Sequence, residues 1–62
     1  MLIVLHNCDD QEVLINTIEL VHGYPMLMAD DTIKTKLVFN TSCIFVRETV
    51  QEIYQMIVKL GS

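Results

Sequence analysis

His6, Cys8, Asp9 and Asp10 put an imidazole, a thiol and two carboxylates within five positions, the densest set of potential metal ligands or proton carriers in the chain. A structural zinc site needs four nitrogen or sulfur ligands, usually in paired motifs such as C-x₂₋₄-C. Only His22 and Cys43 could complete the set, and each stands alone in a separate segment. A Cys–His nucleophile would need Cys8 or Cys43 beside His6 or His22, with an acid to orient the base. Neither cysteine lies at a helix N-terminus, where a thiolate is stabilised. No glycine-rich loop is present to build an oxyanion or phosphate site. The expectation is therefore no metal, no cofactor and no catalytic residue. His6 to Asp10 reads as a turn containing a small buried thiol.

Arg47 and Glu48 stand where an extended segment hands over to a helix. In that place Glu48 favours the helix N-terminal dipole and Arg47 pairs locally. Arg47 can also reach a partner, because arginine is over-represented among interface anchors. Tyr24, Met26, Leu27 and Met28 are the other interface candidates, since methionine adapts to irregular apolar surfaces. The same segment could equally pack over its own sheet.

The elements that must position these residues follow from patterning. Residues 2–6 form an apolar run suited to a buried strand, and 12–16 reads as its hairpin partner across a turn at Asn7-Cys8-Asp9-Asp10. Asn16-Thr17 breaks the run, and 18–22 reads as a third strand. Gly23-Tyr24-Pro25 punctuates the chain, and residues 24–29 fit a strand or an apolar loop. Residues 32–39 alternate, with Ile33, Thr35, Leu37 and Phe39 on one face and Lys34 and Lys36 on the other. Asn40-Thr41-Ser42 is a turn, 43–47 the last strand, and about 50–60 a helix. Thr49 and Glu52 have capping-box spacing at its start. Val50, Ile53, Tyr54, Ile57 and Leu60 recur at helical spacing, and Gly61 suits the end. The expectation is one mainly β domain. Its five strands form a small antiparallel sheet or partly open barrel, covered by one C-terminal helix.

Size and charge limit the function. A 62-residue chain buries only about 60% of the surface its unfolded form exposes, yet 52% of the residues are hydrophobic. The apolar surplus points to a homo-oligomer. The net charge of −4, eight acids against four bases, disfavours nucleic acid, whose binding rests on neutralised phosphates. Residues 1–5 are apolar but lack a basic flank and a cleavage site, so they do not read as a signal peptide. No stretch approaches the roughly 20 apolar residues of a membrane span. A cytoplasmic protein with reduced thiols and no membrane insertion is expected.

With these residues in place, the chain resembles the FlbD family of small flagellar-cluster proteins. Met1-Leu2-Ile3-Val4-Leu5-His6-Asn7, then Glu12-Val13-Leu14-Ile15-Asn16 and Ile18, resemble that family's opening. Val46-Arg47-Glu48-Thr49-Val50-Gln51-Glu52-Ile53 resembles its close. The likeness covers both ends of the chain and not Gly23 to Asp31. Asp10 and Asn40-Thr41-Ser42 stand where the family usually has a Gly and an Asn-Gly. The resemblance implies a non-enzymatic accessory protein, linked in that family to flagellar motility. It would act through its own oligomer and a further protein partner. A second resemblance is to CsrA-type carbon storage regulators, through the opening strand and Glu52-Ile53-Tyr54-Gln55-x-Ile57. It implies an RNA-binding translational regulator, although the basic start of that family is replaced here by Asn7, Cys8 and Asp9. A small mobile-element protein of the same fold is the third reading.

Overall fold

A computed structural model describes Met1 to Gly61. The order is β1 (Leu2–His6), β2 (Glu12–Asn16), a short 3-10 turn (Thr17–Glu19), β3 (Leu20–Leu27), β4 (Ile33–Phe39), β5 (Cys43–Val46) and α1 (Val50–Gly61). The domain is mainly β with one C-terminal helix, and every strand pair is antiparallel. The five strands divide into two sheets, β1-β2 and β3-β4-β5, and no barrel closes among the described residues. A single bridge, Asn7 to Val46, links the end of β1 to the end of β5. The Arg47 N–H donates to the His6 carbonyl just beyond it.

Turn chemistry is local. The Asn7 side-chain oxygen accepts from the Asp9 and Gln11 N–H groups, and Asp10 adopts a left-handed φ of 61°. Aspartate tolerates that region better than most residues, so it serves where a glycine would suit. Asp31, φ 66°, does the same between β3 and β4, where the Met28 N–H reaches the Thr32 carbonyl. The Asp30 carboxyl accepts from the Thr32 hydroxyl at 2.6 Å and the Thr32 N–H at 3.2 Å. The hydroxyl contact is the main reason it is held below the usual carboxylate range.

One segment differs from the sequence reading, and one that it left open is decided. Of the strand expected over 18–22, only residues 20–22 belong to the third strand; 18 and 19 lie in the 3-10 turn. The Asn16 side chain accepts from the Ile18 N–H and turns the chain into the 3-10 segment, leaving Ile18 80% exposed. The third strand starts at Leu20 and runs through Gly23-Tyr24-Pro25 to Leu27, so residues 24–27 are strand, not loop. β3 is the edge of its sheet, where a proline is tolerated. A Cβ on Gly23 would lie 2.8 Å from the Leu37 Cδ2; the glycine lets the two strands' contents pack at close range.

The core is Ile3, Leu5, Ile15, Leu37, Val46 and Ile53, with Val13, Leu20, Phe39, Ile44, Met56 and Ile57 half-buried against it. The inner faces of both sheets and one side of α1 supply it. The helix begins as the spacing predicts: the Glu52 N–H donates to the Thr49 hydroxyl, and the Glu52 carboxylate accepts from the Thr49 N–H. Its apolar stripe is wider than the surface it covers. Ile53 is buried, whereas Val50, Tyr54 and Leu60 are exposed.

Candidate functional site

The strongest polar cluster is one the sequence reading did not assemble. Glu48, only 7% exposed, accepts from the His6 backbone N–H at 2.9 Å and from the His6 ring Nδ1 at 2.6 Å. The Thr35 hydroxyl, also buried, donates to the Glu48 carbonyl at 2.6 Å. One residue between β5 and α1 thus ties down β1 and β4. Burial by itself drives the Glu48 carboxyl upward. The hydrogen bonds from the His6 ring and backbone and from its own N–H outweigh this and leave the carboxyl below the ordinary glutamate value. The ionised carboxylate fixes the ring tautomer, with the proton on Nδ1. Glu48 is therefore an inward lock and not a surface charge serving the helix dipole. Its partner is 42 residues away, so no local pattern could announce it.

The potential metal ligands do not converge. Among the described residues no group of three or more His, Cys, Asp and Glu could hold a metal ion. His6 is committed to Glu48. Cys8 and Cys43 are free and both exposed, so the buried thiol expected in the first turn is instead at the surface.

The interface candidates separate by strand parity. Tyr24 and Met26 share the outer face of β3, and Leu27 lies on the opposite face, beside Ile33. Met28 is half-buried in the β3–β4 turn. Arg47 is drawn away to the first turn, where its Nη1 lies 2.7 Å from an Asp10 carboxylate oxygen. That pair is exposed on both sides, and such pairs contribute roughly 0–1 kcal/mol. It is distant in sequence, not local.

What gathers around Tyr24 and Met26 is a patterned surface. The register places Tyr24 opposite Lys36 and Met26 opposite Lys34, and Lys36 opposite Phe45. A row Tyr24–Lys36–Phe45 therefore crosses all three strands. The Lys36 ammonium lies 5.9 Å from the Phe45 ring centre, and the His22 and Tyr24 rings stack at 5.9 Å. Alternation adds Val38 and Cys43 to this face and no acidic residue.

The second open surface is the outer face of the β1-β2 hairpin. The register sets Val4 opposite Leu14 and Leu2 opposite Asn16, with His6 opposite Glu12 at the far end. Leu2, Val4 and Leu14 are all exposed. Its centre is uncharged, whereas that of the three-stranded face carries two lysines. Among the described residues, no helix is long and apolar enough to cross a membrane. No family model matches the chain, and neither a curated protein nor a solved structure matches it.

Proposed function

We propose that this chain is a small non-enzymatic accessory module that self-associates through one sheet face and engages another protein. It is of the kind its FlbD-like ends imply, and it works in the cytoplasm with its thiols reduced. The observation that carries this reading is the uncharged apolar face of the β1-β2 hairpin. A two-stranded sheet is marginal alone in water. Here its inner face is covered by the core, and its outer face leaves Leu2, Val4 and Leu14 to solvent. A second copy apposed about a two-fold axis would cover these side chains with their own equivalents, the usual isologous arrangement. The three-stranded face is a poor self-docking surface, because it would bring Lys34 and Lys36 near their own copies.

Light-scattering mass across a dilution series tests the reading. A dimer or larger species that dissociates on dilution is expected. A monomer mass at the highest concentration would contradict it.

A further inference from the structure

We infer that the outer face of β3-β4-β5 is a docking surface for an extended acidic peptide segment of a partner protein, with carboxylates at alternate positions. Lys34 and Lys36 are two of the chain's four bases, and they stand on this face with no acid among its strand residues; the acid nearest Lys34 is Asp30 in the β3–β4 turn, at the edge of the face. They are two positions apart on one strand, so their attachment points lie about 7 Å apart. An extended peptide repeats its side chains on one face with the same spacing, so carboxylates at positions i and i+2 can meet both ammonium groups. Tyr24 and Met26 on one side and Phe45 on the other then flank the carboxylates with apolar surface for the peptide's hydrophobic side chains.

The details favour a peptide over a nucleic acid. Base stacking needs open ring faces. Here Lys36 lies over Phe45 and His22 stacks on Tyr24. Two lysines can meet two carboxylates one for one, whereas a polynucleotide presents a longer run of phosphates than two bases can neutralise. The inference rests on the preceding proposal only in that a second copy does not occupy this face.

The test is amide chemical-shift mapping of the full chain with three probes: a short peptide alternating Glu and Leu, its Gln-for-Glu counterpart, and oligouridylate. The Glu peptide is expected to bind saturably, with shifts centred on Tyr24, Lys36 and Phe45, and to weaken with salt. Neutralising one lysine, as Lys34→Gln or Lys36→Gln, should weaken binding about threefold, and the double variant about tenfold. The Gln peptide should bind as weakly to the parent as the Glu peptide does to the double variant. Shifts centred on another surface, no saturable binding, or tighter binding of oligouridylate would each overturn the inference, the last by making the face a nucleic-acid surface. Light-scattering mass on the same samples separates the two proposals. Failed peptide binding by a dimer removes this inference alone, and peptide binding by a monomer removes only self-association.

Discussion

Glu48 joins three distant elements through its side chain and backbone. It satisfies two His6 N–H groups with its carboxylate and one Thr35 hydroxyl with its carbonyl. Removing a buried acceptor leaves its donors unpaired, at a cost of about 1–3 kcal/mol. Glu48→Ala should therefore lower the denaturant midpoint strongly, and urea titration would show it. The charge has its own signature. The native carboxyl sits below its ordinary value, so the folded state favours the ionised form. This stabilisation is present above the unfolded-state value and is lost as pH falls through the native one. Glu48→Gln should keep most of the shape while flattening the acid limb of stability against pH. An acid limb unchanged from the parent would mean that Glu48 does not drive it. Nothing within a few residues of Glu48 distinguishes this role from helix-dipole service, because only the folded chain brings His6 to it. Arg47 was equally illegible: its Asp10 partner lies across the fold.

At the scale of elements, local signals were readable and edge effects were not. The β1-β2 hairpin, β4 with its alternation and the Thr49–Glu52 capping box all depend on neighbours within a few positions, and all occur as their patterns require. β3 was misplaced because glycine and proline normally end strands. An edge strand tolerates both, and Gly23 is needed for close approach to Leu37. The helix gives two predictions. Ile53, buried at 5% exposure, should cost about 2–5 kcal/mol on truncation to alanine. Half-buried Ile57 should cost less and exposed Tyr54 less again, a ranking that thermal melts can check. Thr49→Ala should cost about 1 kcal/mol through loss of the cap. Equal losses at Ile53, Ile57 and Tyr54 would mean that the helix packs by some other face.

For the whole molecule, the central issue is how so small a domain manages more apolar surface than its core can take. The excess was legible in composition; its location was not, because it depends on which strands pair and which faces the core covers. Leu27, Ile33 and the outer side of α1 stay partly open, and the two outer sheet faces are open and differ in charge. The hairpin face, with Leu2, Val4 and Leu14, is suited to a second copy. The three-stranded face, with Lys36 between Tyr24 and Phe45 and Lys34 opposite Met26, is suited to an anionic partner. Sedimentation velocity of two charge variants, each checked for folding by circular dichroism, tests this division most directly. Leu14→Glu puts a carboxylate at the centre of the hairpin face and should give a folded monomer. Lys36→Glu alters only the other face and should sediment as the same oligomer as the parent. An oligomer that survives Leu14→Glu, or one that Lys36→Glu dissociates, would contradict the account.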